Sequence, residues 1–332
     1  MSDRLEGAFD AFRVFDESGT VGGRVVQLSL DDLSQGEVVI KTAFSSVNYK
    51  DALAATGAGK IMRRFPLVGG VDLSGTVVSS ADARYQAGDQ VLVTGYDLGV
   101  AHDGGYAEYA RVPADWIVPV PPGLTLSDAM AIGTAGFTAA LSVAALERSG
   151  VAPANGPVIV TGATGGVGST AVQVLAALGY RVTALTGKDA QHDYLRSLGA
   201  SEVMSRTTLQ MGKRPLEKMM WAGAVDPVGG DTLAWLTRTL MYGGAIACSG
   251  LTGGVELHTT VLPFILRGAQ LLGIDSVMCP MDVRLTVWHR LATDMRPAAL
   301  KPMTREIAMS GLPDAFATLL SGAARGRFVV KL

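Results

Sequence analysis

Cysteine and histidine are scarce in this sequence of 332 residues, which has two cysteines and four histidines. Cys248 and Cys279 cannot form the disulfide framework of a small secreted protein, so we expect a reducing compartment, the cytoplasm. The histidines are scattered, and the chain contains neither a His-Glu-x-x-His nor a Cys-x-x-Cys pattern. Since zinc sites usually carry such ligand spacings, we expect no bound metal.

Charge is also low, at 17% of residues, and it is nearly balanced, with 28 Lys+Arg against 30 Asp+Glu. Such a balance provides no basic surface for nucleic acid or for an anionic membrane. Every long apolar run is interrupted by Gly, Pro or Thr, which predicts no membrane span. The first seven residues lack the apolar core of a signal peptide, so we expect none.

The length favours two domains, because single cores rarely grow beyond about 300 residues. Short strands with frequent turns dominate the first part of the chain and predict a β-barrel-like unit. The predicted strands there are Arg24–Leu30, Glu37–Phe44, Leu73–Ser79 and Gln90–Thr94. The Pro119–Gly123 segment interrupts all regular structure and marks the predicted boundary.

After this boundary, strands and helices alternate, beginning with a helix for which Ser127 is the predicted N-cap. This alternation predicts an α/β fold with a doubly wound parallel sheet. The last segment resembles the first part again. We therefore predict one domain over residues 1–126, completed by 297–332, and a second domain over 127–296.

The strongest local motif begins with the apolar strand at Val158, which leads into a glycine turn that opens a helix. Glycine at 165 and 166 would let the main chain approach a diphosphate, and Gly168 would let the helix pack tightly on the strand. The helix N-terminus offers N–H groups and a positive dipole end to phosphates. The alternative is a tight turn that binds nothing. The predicted cofactor-binding residues of this turn are Thr164, Gly165, Gly166, Val167 and Gly168.

The next predicted strand ends at Thr186, where dinucleotide sites selective for NAD usually carry an acidic residue. Here Thr186 is followed by Gly187 and the cation Lys188, and Arg206 follows the third strand. A missing acid next to positive charge favours the 2′-phosphate of NADP(H). The alternative is that Lys188 and Arg206 are ordinary solvated side chains.

The whole chain resembles the medium-chain dehydrogenase/reductase superfamily, with a GroES-like domain, a Rossmann domain and a short return to the first. The motifs that carry this resemblance to the zinc-free quinone oxidoreductase branch include Asn48-Tyr-Lys-Asp51, Gly69-Gly-Val-Asp72 and Ala163-Thr-Gly-Gly-Val-Gly168. Finer features, such as Thr186-Gly-Lys188 and Tyr194-Leu-x-Ser-Leu-Gly-Ala200, resemble the acrylyl-CoA reductases. Asp226-Pro227 departs from the usual pattern of these proteins.

This resemblance implies an NADPH-dependent enzyme that reduces acryloyl-CoA to propanoyl-CoA without a metal. Hydride would reach the β-carbon of an unsaturated acyl-CoA, negative charge would collect on the thioester oxygen, and a proton would reach the α-carbon. Such a site needs donors where the oxyanion forms. The sequence leaves two alternatives, a general NADPH:quinone or enone reductase and an NADPH-binding sensor without turnover.

The resemblance also implies roles for particular residues. Tyr49, in a loop after a strand, would donate to the enolate or contact the nicotinamide, with Asn48 orienting that loop and Asp72 anchoring Tyr49 or Lys50. Thr134 and Thr138 would approach the nicotinamide, and Arg327 would bind a phosphate of the cofactor or of CoA. The alternatives are packing for Tyr49, a turn role for Asp72, helix back-bonding for the threonines and a solvated surface position for Arg327.

The apolar stretch Leu262–Asp275 could pair edge strands across a two-fold axis, which predicts a homodimer.

Overall fold

The structure is a computed structural model that describes residues 7–332. Its strands are β1 (Phe9–Glu17), β2 (Thr20–Leu28), β3 (Val38–Val47), β4 (Leu67–Val68), β5 (Asp72–Ser80), β6 (Gln90–Thr94), β7 (Tyr109–Val112), β8 (Val118–Pro119), β9 (Val158–Val160), β10 (Val182–Thr186), β11 (Glu202–Ser205), β12 (Trp221–Asp226), β13 (Leu240–Cys248), β14 (Gln270–Gly273), β15 (Thr304–Ala308) and β16 (Arg327–Lys331). Its α-helices are α1 (Tyr49–Thr56), α2 (Leu126–Arg148), α3 (Gly166–Ala177), α4 (His192–Ser197), α5 (Gly230–Thr239), α6 (Leu262–Arg267), α7 (Met281–Ala292), α8 (Leu300–Met303) and α9 (Leu312–Leu320).

The chain forms two compact units. The first contains the described residues up to Thr134 together with Val277–Leu285 and Leu300–Leu332, and the second contains Ala135–Ser276 and Thr286–Ala299. The domain limits predicted at residues 126 and 296 stay predictions. Residues 1–6, on which the expected absence of a signal peptide depends, lie outside the described residues.

The first unit is built on a mainly antiparallel sheet of order β15-β16-β3-β5-β6-β8, with β7 also paired to β3. β3 is its central strand, and it is shielded from solvent along its last three residues, Ser45, Ser46 and Val47. Two buried serines at a strand end are unusual, because a buried hydroxyl needs a hydrogen-bond partner. This strand end therefore marks a buried polar region in the first unit.

A hairpin of β1 and β2, extended by β4, forms a second sheet in this unit. β1 was not predicted from the sequence, and β2 begins at Thr20 rather than at the predicted Arg24. The two strands are joined by Ser18-Gly19, both with positive φ (57° and 89°), which is the two-residue turn that fits the twist of antiparallel strands. Burial in Phe9–Glu17 does not alternate strictly, because the adjacent residues Ala11 and Phe12 are both buried.

The second unit contains a six-stranded parallel sheet of order β11-β10-β9-β12-β13-β14. This agrees with the predicted doubly wound α/β fold, and its central strand β9 is completely buried. The strand order reverses between β9 and β12, since β10 and β11 extend to one side and β13 and β14 to the other. In open parallel sheets, ligands bind at the carboxyl ends of strands beside such a reversal.

The chain passes from the first unit to the second inside α2. The predicted cap Ser127 is wrong, because Thr125 caps this helix: Asp128 N–H donates to the Thr125 hydroxyl, and Thr125 N–H donates to the Asp128 carboxylate. Gly133 interrupts the helix with a non-helical conformation, φ 52° and ψ −162°. α2 thus has a break one residue before the unit boundary.

α2 is also long and apolar enough to cross a bilayer, judged by length and composition alone. Its apolar run contains Gly133 and Thr134, which are the kind of interruption on which the expectation of no membrane span rests. In addition, 94% of its most apolar window is buried inside the protein, and the core helices of globular proteins share this pattern.

Candidate functional site

The glycine turn of the second unit lies where β9 leads into α3. Gly162 adopts φ +53°, and its carbonyl accepts the N–H of Gly165 at 2.9 Å. A Cβ at Gly168 would lie 2.4 Å from the Gly162 oxygen, so only glycine allows α3 to approach the turn this closely. Close packing therefore explains Gly168 without a ligand.

Gly165 differs from Gly168, because the fold does not require a glycine there. Its φ is −77°, and a Cβ would meet only the Gly162 oxygen at 3.4 Å, an ordinary contact. Gly165 precedes the first turn of α3, whose N–H groups at Gly166, Val167 and Gly168 have no acceptors within the helix. An open glycine in front of free N–H donors fits a phosphate group. Thr164, within this turn, is 4% exposed.

Next to this turn, β10 ends at Thr186, and Gly187 and Lys188 follow it. The Thr186 hydroxyl accepts the Lys188 N–H at 3.0 Å, and the Thr186 carbonyl accepts the Arg206 N–H at 2.7 Å. The Arg206 guanidinium lies 3.0 Å from where a Gly187 Cβ would stand. Burial lowers the pKa of Lys188, so this half-buried lysine is not the fully solvated side chain of the alternative.

The turn from β12 into α5 reaches the same edge of the sheet. Asp226 is fully buried and accepts the Thr161 hydroxyl as well as the N–H groups of Gly229 (2.9 Å) and Val228 (3.3 Å). Burial raises its pKa, and these three donors oppose that shift. Asp226-Pro227, which departs from the family pattern, therefore lies in a turn where the Asp226 carboxylate accepts three hydrogen bonds.

In the first unit, a buried polar cluster surrounds Asp72, the first residue of β5. Its carboxylate accepts the Ser46 hydroxyl, the Asn48 side-chain amide at 2.8 Å, and both the N–H (2.9 Å) and the hydroxyl of Thr134. Its side chain is 0% exposed. Asp72 makes no described hydrogen bond to Tyr49 or Lys50, and it lies in a strand rather than a turn.

Arg327 supplies the positive charge of this cluster. The guanidinium donates to Ser46 Oγ (2.7 Å), to Asn48 Oδ1 (3.1 Å) and to the carbonyls of Val47 and Ala131, and it lies 3.8 Å from the Asp72 carboxylate. At 3% exposed, it is not the surface arginine of the alternative. Since its donors already have protein acceptors, the phosphate role predicted for Arg327 gains no support from its position.

Asn48 and Tyr49 stand at the beginning of α1, so the predicted loop around Tyr49 is wrong. Asn48 is the N-cap, and its N–H donates to the Asp51 carboxylate at 2.8 Å. The Tyr49 side chain is 36% exposed and makes no hydrogen bond to the described part of the chain. Tyr49 is therefore partly open to solvent, and the described protein does not occupy its hydroxyl.

The two threonines predicted near the nicotinamide have different partners. Thr134 joins the Asp72 cluster, whereas the Thr138 hydroxyl donates to Ser276 Oγ at 2.8 Å within the second unit. Before them, Gly133 fits closely into the cluster, since a Cβ there would lie 2.6 Å from an Arg327 nitrogen and 2.7 Å from an Asp72 oxygen. The cluster thus requires glycine at position 133.

The cluster also contains four residues for which the sequence predicted no role: Ser46, Asp51, Tyr106 and Gly133. Asp51 accepts the Val71 N–H at 2.9 Å; burial, followed by the charge of Asp72, raises the pKa of Asp51 to about 7. The Tyr106 hydroxyl donates to the Ser46 carbonyl, and burial raises its pKa well above the usual value. The spacing Asn48-x-x-Asp51, a capping pattern, was the only local signal.

Over residues 7–332, no three His, Cys, Asp or Glu side chains lie together in an arrangement that could hold a metal ion.

Two family models match the chain: an alcohol dehydrogenase GroES-like domain over residues 34–122 and a zinc-binding dehydrogenase over residues 166–293. The chain belongs to the medium-chain dehydrogenase/reductase superfamily, and it is an oxidoreductase of that superfamily.

Among its relatives, YhfP of Bacillus subtilis, provisionally named a quinone oxidoreductase, is 51% identical over 98% of this chain and 99% of its own. The acrylyl-CoA reductase AcuI of Ruegeria pomeroyi is 50% identical over 95% of this chain and 96% of its own.

Solved structures agree with the fold. YhdH of Salmonella enterica in complex with NADP is 46% identical, with a TM-score of 0.95, over 97% of this chain and 99% of that one. The structure of YhfP with NAD bound is 50% identical, with a TM-score of 0.96, over 98% of this chain and all of that one.

Proposed function

We propose that this oxidoreductase reduces the carbon–carbon double bond of an α,β-unsaturated acyl-CoA with NADPH, and that acryloyl-CoA is its substrate. The observation that carries this proposal is the 50% identity to AcuI across 95% of the chain. A relative of similar identity carries a quinone oxidoreductase name, so the substrate class needs its own test.

NADPH would be held by the glycine turn and by the residues after β10. The N–H groups of Gly166, Val167 and Gly168 would bind the diphosphate, with Thr164 and the open Gly165 beside them. Thr186 and Gly187 would accommodate the ribose, and Lys188 and Arg206 would bind the 2′-phosphate as charge-assisted donors. When bound, NADPH supplies a hydride, so no metal is required for the reduction.

NAD, which is bound in the solved structure of YhfP, lacks the 2′-phosphate. Cofactor preference is therefore decided by measurement of kcat/KM with NADPH and with NADH. We expect NADPH to be favoured, and Lys188→Ala to reduce that preference about 10-fold because one cation next to the phosphate is removed. Equal kcat/KM for both cofactors in the unmodified enzyme would contradict the assignment of Lys188 and Arg206.

Tyr49 would act on the substrate. Reduction places negative charge on the thioester oxygen, and a donor at that oxygen stabilises the transition state more than the ground state. Tyr49 is partly exposed and its hydroxyl makes no hydrogen bond to the described residues, so the hydroxyl is free to donate. Asn48 and Asp72 would hold the beginning of α1, from which Tyr49 projects. Contacts of Tyr49, Thr134, Thr138 or Arg327 with the cofactor stay predictions.

The test is the oxidation of NADPH at 340 nm with acryloyl-CoA, a longer enoyl-CoA and a quinone in parallel. We expect the highest kcat/KM with acryloyl-CoA. Turnover of the quinone alone would replace this proposal by a second candidate, a general NADPH:quinone reductase, which the name of YhfP favours. Binding of NADPH without oxidation by any acceptor would favour a sensor instead.

We also propose a homodimer, formed through the open edge of the parallel sheet. β14 is the edge strand there, and Leu271 on it is exposed, as are Val261, Ile265 and Leu266 just before it. Unpaired edge strands with exposed apolar side chains favour pairing with another chain. Sedimentation velocity of the unmodified protein and of Ile265→Glu tests this contact. The cytoplasm, a reducing compartment, is the proposed location.

A further inference from the structure

The carboxylate of Asp226 is the buried charged group of the second unit to which neither the sequence nor the proposed mechanism gives a role. It lies at the carboxyl end of β12, next to β9, where the strand order of the sheet reverses. A buried carboxylate is costly unless donors surround it. Asp226 has three such donors, and they come from two separate turns.

The first turn is the glycine turn. Thr161, the residue before Gly162, donates its hydroxyl to Asp226, and its own N–H donates to the Val225 carbonyl at 3.1 Å. Thr161 is fully buried. Because the glycine turn begins at the next residue, the position of Thr161 determines where the following N–H donors point.

The second turn leads from β12 into α5. Asp226 accepts the N–H groups of Val228 and Gly229 there, and Val228 Cγ2 lies 3.0 Å from the position of a Gly162 Cβ. The two turns are therefore in contact, and the single carboxylate of Asp226 is hydrogen-bonded to both of them.

We propose that Asp226 is a positioning residue for the cofactor diphosphate: by joining Thr161 to the β12–α5 turn, it fixes the glycine turn in the conformation that presents its N–H donors. The inference rests on the proposed NADPH site and adds a residue to it that does not contact the cofactor. Its effect should be confined to the diphosphate, because Lys188 and Arg206 belong to other strand ends.

Because the effect of Asp226 should be limited to the diphosphate, a ligand that lacks the diphosphate provides the test. Adenosine 2′-monophosphate carries the 2′-phosphate of NADPH but lacks the diphosphate. We expect Thr161→Val and Asp226→Asn each to raise the Kd for NADPH about 10-fold and to leave the Kd for adenosine 2′-monophosphate unchanged. Thr161→Ser keeps the hydroxyl and should restore NADPH binding. In the double variant the two effects should be less than additive, because Thr161→Val removes one end of the link between the two turns and Asp226→Asn removes an acceptor at the other.

Thr170→Val is the matched control, because this buried threonine of α3 donates its hydroxyl only within its own helix, to the Gly166 carbonyl at 3.0 Å. It should bind both ligands as the unmodified protein does. An unchanged NADPH Kd in Thr161→Val and Asp226→Asn would overturn the inference, and so would an equal loss for both ligands, which indicates general damage to the sheet edge. Failure of the unmodified protein to bind NADPH would instead refute the proposed function itself.

Discussion

The glycine turn of the second unit and the Asp72 cluster of the first differ in whether their hydrogen-bond donors are available to a ligand. The glycine turn comes from one continuous segment and presents main-chain N–H groups without charged side chains. The Asp72 cluster is assembled from five separated segments and buries two carboxyl groups and one guanidinium. Main-chain donors at a helix end are available to a ligand, whereas the donors of the cluster are already bound to protein acceptors. The first region is thus suited to bind, and the second to hold its own residues in place.

The largest expected effect comes from removing the charge of Arg327, which tests whether the Asp72 cluster depends on that charge for its stability. Arg327→Met leaves Asp72 buried without its cation, so we expect the free energy of unfolding to fall by about 3 kcal/mol. Urea denaturation measures it. Arg305→Met, on the exposed face of β15, is the control and should change it by less than about 0.5 kcal/mol. Equal effects of the two variants would mean that the cluster does not depend on its charge.

Tyr49 tests whether the rigid cluster serves catalysis. Tyr49→Phe removes one hydroxyl that makes no hydrogen bond to the described protein, so stability should hardly change. If this hydroxyl stabilises the oxyanion, kcat should fall about 100-fold, which corresponds to about 2.7 kcal/mol. Steady-state kinetics and a denaturation curve on the same sample separate the two effects. An unchanged kcat would reduce Tyr49 to a packing residue.

Within the glycine turn, Gly168 and Gly165 separate a role in packing from a role in ligand binding. Gly168→Ala places a Cβ against main-chain atoms at 2.4 Å and should cost about 1–3 kcal/mol of stability. Gly165→Ala meets only an ordinary contact, so stability should be retained while NADPH binding weakens. Thermal unfolding and a titration with NADPH distinguish the two variants. Retained NADPH affinity in Gly165→Ala would remove the argument that this glycine serves a ligand.

A pH dependence of stability is also expected from the cluster, through the titration of Asp51. The pKa of Asp51 is raised from 3.8 to about 7, so the folded protein binds this proton more tightly than the unfolded chain does. Its contribution to stability therefore decreases as pH rises from about 4 to about 7, by at most about 1.4 kcal/mol per pH unit, and levels off above. Asp51→Asn should remove this slope in urea denaturation curves measured from pH 5 to 8.

Asp32→Asn is the matched control for that slope. Asp32 accepts the Ser29 N–H with the same three-residue spacing, but on an exposed turn. The pKa of Asp32 is lowered, chiefly by that hydrogen bond. The Asp32→Asn variant should therefore keep the decrease in stability between pH 5 and 7. A slope that persists in Asp51→Asn would assign the titration to another group.

The sequence predicted the second unit better than the first for a physical reason. Apolar strands such as β9 are buried on both faces, and the turn after β9 needs glycine for packing at Gly168, so both leave local patterns. The first unit was predicted less well, since β1 and α1 were missed. In Phe9–Glu17 burial does not alternate strictly, because Ala11 and Phe12 are both buried. α1 is short and begins just after β3.

By itself, the sequence determined the parallel sheet, the glycine turn and the resemblance to a zinc-free reductase, because each depends on neighbours along the chain. Only the tertiary structure decided the partners of Asp72, Arg327 and Asp226. A buried charge is stable only where donors or an opposite charge surround it, and those groups arrive from distant segments. The scarcity of charge in this chain therefore does not mean that charge is unimportant to it. Several of its charged residues are buried, and their hydrogen bonds hold the turns and helix ends that would bind the cofactor and substrate.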